Sequence, residues 1–186
     1  MHRKNIDHPY GAVRRELRFA VGYTEFTRAL ESLLGRLDPA GLVGIGRDTP
    51  DRAREKLARM AGVSGFTLVQ KIDHGAISRS LATRHIHATT YVFGNALIAS
   101  DMTKLDPRVG LYDPPRLYVC ETKTHGVLVT YDLPSATLAQ FDSPAINGVA
   151  ASLDAKVEKL VAVAAALADK TRSRPRRPVM AESGRR

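Results

Sequence analysis

The sequence predicts an α+β fold, a two-layer sandwich in which a curved antiparallel sheet of about five strands has helices on one face. Three observations lead to this prediction. Short runs rich in β-branched and aromatic residues recur, turn-forming residues separate them, and a long amphipathic segment follows the last run. Packing that segment across one face of the sheet buries both apolar surfaces. The resulting order, β-α-β(4)-α, is typical of TBP-like or helix-grip-like folds.

The first part of the chain supplies two strands and two helices. Residues 13–21 alternate imperfectly between apolar and charged side chains, which predicts a strand near a sheet edge, where charge is tolerated. Thr24 is a plausible N-cap for the first helix. The glycine-rich segment 36–49 predicts a loop, and Pro50 opens a second helix. Residues 66–72 then predict the second strand.

The middle of the chain carries three further strands. Residues 89–93 are β-branched and aromatic and stop at a Gly-Asn pair, which favours a turn. Residues 96–105 place apolar side chains at helical spacing, which predicts a short helix over one end of the sheet. Two apolar runs, 117–120 and 127–131, are joined by a short segment containing glycine and predict a hairpin.

The last predicted element is the long helix. Ser143 and Pro144 are typical of its N-cap and first position, and a shorter helix over 135–141 precedes it. Apolar residues then recur at intervals of three and four, which predicts one continuous apolar face. They are Ile146, Val149, Ala150, Leu153, Val157, Leu160, Val161 and Ala164.

Three segments of the sequence resemble a known family. They are Phe-Gly-Asn-Ala-Leu-Ile at 93–98, Gly-Val-Leu-Val-Thr-Tyr-Asp at 126–132 and Leu-Asp-Ala-Lys-Val at 153–157. They resemble the domain-of-unknown-function 302 family over most of the chain, from about residue 13 to 167. The family turn continues with proline where this chain has Ala96. The resemblance implies a curved antiparallel sheet with helices on one face and a dimer, and it implies no reaction.

Length and charge bound the domain organisation. The 186 residues predict a single domain over 12–170, with a flexible arm at 1–11 and a basic disordered tail at 171–186. The net charge is +9, but residues 170–186 hold seven Lys or Arg against one Glu. Because the charge is concentrated in a tail with almost no apolar residues, we expect nucleic acid to be an unlikely partner.

Cysteine content and hydropathy limit the cellular compartments in which the protein is expected. The lone Cys120 excludes an internal disulfide framework, and with a polar opening segment it predicts a cytoplasmic protein. The longest apolar run, 160–168, is far shorter than the roughly 20 residues of a membrane span. We therefore expect no membrane partner.

The favoured functional hypothesis places a small-molecule cleft between the sheet and the C-terminal helix. A carboxylate in such a partly apolar cleft has a raised pKa and can exchange protons near neutrality without a cofactor, as in isomerases, lyases or cyclases. Glu121 or Asp73 is the predicted acid or base, with His74 as a second choice. Tyr131 and Asn95 are predicted to hydrogen-bond a developing oxyanion. The remaining predicted ligand-binding residues are Tyr91, Tyr118 and Thr130.

Two alternatives stay open from the sequence alone. An exposed strand edge makes a homodimeric interaction module without catalytic activity possible. His85 and His87 share one strand face, so a metal or haem site is a weak alternative that His74 or His125 would complete. The glycine-rich run 41–46 lacks the residue order of a phosphate-binding loop, so it does not favour nucleotide binding.

Overall fold

The computed structural model describes residues 5–81 and 86–172, and its centre is one six-stranded sheet. The strands lie in the order β1-β6-β5-β4-β3-β2, and all neighbours are antiparallel except β2 and β3. The strands are β1 (Arg14–Phe19), β2 (Gly35–Arg36), β3 (Thr67–Asp73), β4 (Ala88–Gly94), β5 (Arg116–Glu121) and β6 (Val127–Asp132).

Seven helices connect and cover these strands within the described residues. They are α1 (Tyr23–Leu33), α2 (Pro39–Leu42), α3 (Pro50–Met60), α4 (His74–Ser80), α5 (Ala96–Thr103), α6 (Pro134–Leu138) and α7 (Pro144–Arg172). Three single turns of 3-10 helix lie at Ile45–Arg47, Pro107–Leu111 and Ala139–Phe141.

The core lies between the sheet and the helices α1 and α7. Strand residues alternate between this inner face and an outer face, so that Val127, Val129 and Tyr131 are buried while Leu128 and Thr130 are only partly covered. The helices contribute their own apolar stripes, including the completely buried Phe26 and Ile146. Each such large apolar side chain contributes about 1.5–3 kcal/mol to folding.

The predicted α+β class, with its curved sheet and helices, is confirmed, and the sheet has one strand more than expected. The predicted loop 36–49 overlaps β2 at Arg36 and also contains α2 and a turn of 3-10 helix. Strand β2 forms because the Gly35 N–H donates to the carbonyl of Phe66 at 2.8 Å. Helix α1 is capped by Gly22 and not by Thr24, which lies inside the helix. The end of β3 leads directly into α4, since the Asp73 side chain accepts a hydrogen bond from the Ala76 N–H.

The edges of the sheet are β1 and β2. The prediction that the first strand lies at an edge is therefore confirmed. Leu133 N–H donates to the Val13 carbonyl at 2.8 Å, so the odd-numbered residues of β1 direct their backbone groups to β6. The backbone groups of Glu16 and Arg18 consequently point away from the sheet.

A helix needs roughly 20 predominantly apolar residues to span a membrane. None of the helices within residues 5–81 and 86–172 has the length and apolar content to cross a bilayer. His85 and the predicted tail from residue 173 onward lie outside the described residues.

Candidate functional site

A partly buried carboxyl group, Asp113, lies where the turn before β5 meets the end of β4. Its neighbour across the contact is Gly94, the last residue of β4. A Cβ atom on Gly94 would come within 3.3 Å of Asp113 Oδ1 and 3.0 Å of Pro114 Cβ. A side chain at Gly94 would therefore crowd the proline ring and the carboxyl group, and its absence favours this position of Asp113.

A cavity of about 200 Å³ extends from the Asp113 carboxyl between α3, β3 and α5. We call it the Asp113 pocket. Its walls are mostly apolar, because α3 and α5 direct aliphatic side chains into it. The lining residues are Leu37, Leu57, Met60, Thr67, Val69, Gly94, Asn95, Ala96, Ala99, Asp113 and Pro114.

Burial raises the pKa of Asp113 from 3.8 to about 6. No charged neighbour contributes to this shift, and among the described residues the carboxyl oxygens have neither a hydrogen bond nor an ion pair. An unpaired carboxyl group that titrates near pH 6 can both accept and donate a proton under physiological conditions. Such a group in an apolar pocket is typical of functional sites.

A second, larger cavity shares Asp113 and Pro114 with the Asp113 pocket. This outer groove has a volume of about 570 Å³ and includes charged and aromatic side chains. Its lining residues are Tyr10, Ala12, Val92, Gly110, Leu111, Tyr112, Asp113, Pro114, Pro115, Arg116, Asp132 and Thr137. Asp113 is therefore accessible from two sides.

Asn95, predicted to bind ligand, lines the Asp113 pocket but already has partners. Its Oδ1 accepts hydrogen bonds from the N–H groups of Leu97 at 2.9 Å and Ile98 at 3.2 Å, which caps α5. Its Nδ2 donates to the Gly65 carbonyl at 2.8 Å. Asn95 thus fixes the start of α5, and the wall of the pocket with it.

The two principal predicted catalytic residues, Glu121 and Tyr131, are not brought together. Glu121 pairs with Val127 at one end of the hairpin, whereas Tyr131 lies near its other end. The Tyr131 side chain is only 4% exposed, and burial raises the pKa of its hydroxyl. Among the described residues that hydroxyl has no hydrogen-bond partner, and the nearby Arg15 binds Glu158 at 2.9 Å.

The space predicted to hold a guest beneath α7 is occupied by side chains. From the sheet, Val119, Val127 and Val129 are completely buried, and α7 opposes them with an equally buried stripe. That stripe consists of Ile146, Ala150, Leu153, Val157, Leu160, Val161, Ala164 and Ala168. The expected position of the cleft is therefore corrected, because the buried stripe of α7 belongs to the same hydrophobic core as the strand residues and α7 also packs against α1 and α6.

Glu121 instead forms a small polar cluster at the end of β5. His125 Nδ1 lies 3.3 Å from Glu121 Oε1, and His87 Nε2 lies 4.0 Å from Oε2. The His87 ring also contacts Tyr23, with 5.4 Å between centroids. The described residues hold no group of three or more ligating side chains arranged for a metal ion.

Three other predicted residues meet on the outer face of the sheet. His74 Nε2 lies 2.9 Å from Thr90 Oγ1, and the His74 ring is 6.0 Å from that of Tyr118. Thr130 pairs with Tyr118 across β5 and β6. Asp73 is not part of this group, because its carboxylate caps α4.

Tyr91 is fully buried on the inner face, and its hydroxyl belongs to a hydrogen-bonded network with Glu31 and Lys71. Its hydroxyl donates to Glu31 Oε1 at 2.8 Å, and Lys71 Nζ lies 2.6 Å from the same oxygen. Burial, followed by the Glu31 carboxylate, raises the pKa of Tyr91 strongly. A ligand would have to displace this network to reach the phenol.

Sequence reasoning missed Asp113 and Arg116, the two charged residues that flank a pair of prolines. The available signal was the order Asp-Pro-Pro-Arg immediately before a strand. Two prolines with fixed φ separate the two charged residues, and the Asp113–Pro114 peptide bond is cis. The sequence alone did not show that Asp113 is enclosed.

Comparisons with known proteins identify the family. The family described as "Domain of unknown function DUF302" matches residues 46–164, which is more than half of the 186 residues. The chain belongs to the DUF302 family. The predicted resemblance is therefore confirmed, and Asp113 and Gly94 both lie inside the DUF302 match.

A solved structure gives the same result for the fold. The crystal structure of an uncharacterized conserved DUF302 protein from Bacillus stearothermophilus is similar to this DUF302 chain, with a TM-score of 0.58 and 13% identity. The likeness covers 81% of this chain and 97% of the other, and at that identity it shows the fold alone. No curated protein matches the sequence.

Proposed function

We propose that this protein binds a small, partly apolar or aromatic molecule in the Asp113 pocket and exchanges a proton with it. The reaction class is cofactor-independent acid–base chemistry of the isomerase, lyase or cyclase type. The observation that carries the proposal is the Asp113 carboxyl itself, which is unpaired among the described residues and opens into an apolar cavity. Asp113 takes the acid–base role that the sequence assigned to Glu121 or Asp73.

The proposed reaction needs only one group on the protein that accepts and returns a proton. The ionised carboxylate removes a proton from a carbon or heteroatom of the bound molecule, and the neutral acid returns it to another atom. The raised pKa supports this exchange, because donor and acceptor forms coexist near pH 6. The volume of about 200 Å³ is below the usual range for drug-sized ligands, which favours a small molecule.

The test combines a pocket-filling variant with a proton-exchange measurement. A panel of small aromatic and aliphatic metabolites is screened by thermal shift against wild type and Ala99→Leu, which fills the pocket. Ala151→Leu, on an exposed position of α7, is the matched control. We expect hits that stabilise wild type and the control but not Ala99→Leu.

Proton exchange is then followed for each hit by NMR in deuterated water. We expect the protein to accelerate deuterium incorporation into the hit and Asp113→Asn to remove that acceleration. A panel without stabilising molecules, or hits that bind Ala99→Leu equally well, would overturn binding in this pocket. Binding without accelerated deuterium exchange would overturn the catalytic part of the proposal and leave the binding part in place.

The free edge of β1 favours a second candidate, a homodimer formed by strand pairing. Glu16 and Arg18 direct their backbone groups outward, and both side chains are exposed on the outer face. Two β1 strands could pair antiparallel about a two-fold axis at Leu17. Glu16 would then lie opposite Arg18 of the partner subunit, and symmetry would form this ion pair twice. Hydrogen bonds and ion pairs would then be satisfied in the same register.

Charge reversal tests this register. We expect wild type to be a dimer by light scattering and Glu16→Arg to weaken the dimer about tenfold or more, because two attractive pairs become repulsive. The double variant Glu16→Arg with Arg18→Glu exchanges the charges and should restore the dimer. A monomeric wild type, or a double variant that stays as weak as the single one, would contradict the strand pairing.

A further inference from the structure

The outer groove contains the guanidinium group of Arg116, which does not contribute an ion pair to the described part of the fold. Arg116 begins β5 with an exposed side chain, and among the described residues that side chain has no hydrogen bond and no ion pair. The carboxylate of Asp132, which lines the same groove, is already paired, because Arg14 binds it at 3.2 Å.

The pairing of Asp132 decides the charge of the groove. Asp132 is opposite Arg14 in the β1–β6 register, and its Oδ1 accepts the Arg14 Nε–H. This corner of the outer face therefore has two guanidinium groups against one carboxylate, an excess of one positive charge. An arginine left over in a concave site is suited to bidentate binding of a carboxylate.

Arg116 and Asp113 face the same groove from a short, stiff segment. Only Pro114 and Pro115 separate them in sequence, and all four residues line the cavity of about 570 Å³. The rings of Tyr10 and Tyr112, which are 5.5 Å apart in an edge-to-face arrangement, form another wall. The planar and apolar parts of a ligand could pack against these rings, and its negatively charged end could bind Arg116.

We infer that the ligand is a small carboxylate whose anionic end binds Arg116 in the outer groove while its reacting part lies at Asp113. This inference rests on the proposed function and narrows its substrate class. The remaining lining of the Asp113 pocket from α3, β3 and α5 has no titratable group. The charged groups that line the outer groove together with Asp113 are Arg116 from β5 and Asp132 from β6, which binds Arg14, and the Tyr10 and Tyr112 phenols line it as well.

The arrangement makes anion binding dependent on the protonation of Asp113. Below pH 6 the Asp113 carboxyl is neutral and the groove keeps its positive excess. Above that pH the Asp113 carboxylate cancels the excess and repels the anion. Affinity for a carboxylate should fall as pH rises through about 6, and Asp113→Asn should remove this dependence.

Matched pairs of probes test the inference. Binding of benzoate and benzamide, and of phenylacetate and phenylacetamide, is titrated by NMR at about pH 5, below the pKa of Asp113. We expect wild type to bind each carboxylate about tenfold more tightly than its amide and Arg116→Gln to lose that preference. Arg36→Gln is the matched control, because Arg36 is an exposed strand arginine outside both cavities.

The outcomes separate this inference from the proposed function. Amides that bind as tightly as carboxylates, with binding still lost in Ala99→Leu, would overturn the carboxylate assignment and leave the Asp113 pocket in place. A carboxylate preference that survives Arg116→Gln would also overturn it. No binding by either member of any pair at millimolar concentration would count against both.

Discussion

Asp113→Asn is expected to stabilise the protein at about pH 8 and to leave its stability unchanged at about pH 4. The pKa of Asp113 is raised in the folded protein from 3.8 to about 6, so the folded state binds a proton more tightly than the unfolded chain. Stability is therefore lost as pH rises from 3.8 to about 6, and the loss persists above that window. Asparagine has nearly the same shape and no charge to bury.

The expected gain is about 2 kcal/mol at about pH 8, after allowing for partial solvent screening of the carboxylate. Chemical unfolding at both pH values measures it. Asp101→Asn is the matched control, because that carboxylate is exposed on α5 and paired with Lys104 at 2.8 Å. A variant that is less stable than wild type at about pH 8 would show that the Asp113 carboxylate has favourable partners and is not a destabilised functional group. Stabilisation combined with lost proton exchange is the usual signature of an active-site residue.

Gly62→Ala is expected to cost about 3 kcal/mol, which lowers the melting temperature by roughly 6–12 °C for a chain of this size. A Cβ atom on Gly62 would overlap the backbone nitrogen of Gly35 and lie 2.5 Å from the Leu33 carbonyl oxygen. Backbone atoms cannot move aside as the end of a side chain can. The contact holds β2 against the start of β3, where Gly35 and Gly62 both donate to the Phe66 carbonyl.

Gly148→Ala provides the matched control for this prediction. Gly148 lies inside α7, and a Cβ there would meet nothing within 4 Å. The same substitution should therefore raise stability by about 0.5–1 kcal/mol, because alanine favours the helix. Thermal unfolding of both variants measures the contrast, and a Gly62→Ala protein as stable as wild type would contradict the close contact.

The sequence determined most of the secondary structure. Residues 89–93 and 127–131 have the side-chain types of strands, and Pro144 with the apolar spacing after it is typical of a long helix. These signals are local, since they depend on residues within one turn or one strand. Their order along the chain then left few ways to bury the apolar faces, which is why the α+β class was predictable.

The position of the candidate site was decided only by the tertiary structure. The Asp113 pocket is lined by Leu57, Val69 and Ala99, which lie on three elements separated in sequence. By contrast, Tyr131 and Glu121 were predicted to share a cleft on the assumption that α7 stands away from the sheet, and α7 packs against it instead. Strand and helix patterns state which face of an element is buried, but not what lies opposite it. Enclosure of a charged group depends on those opposing surfaces, and they are set by long-range packing.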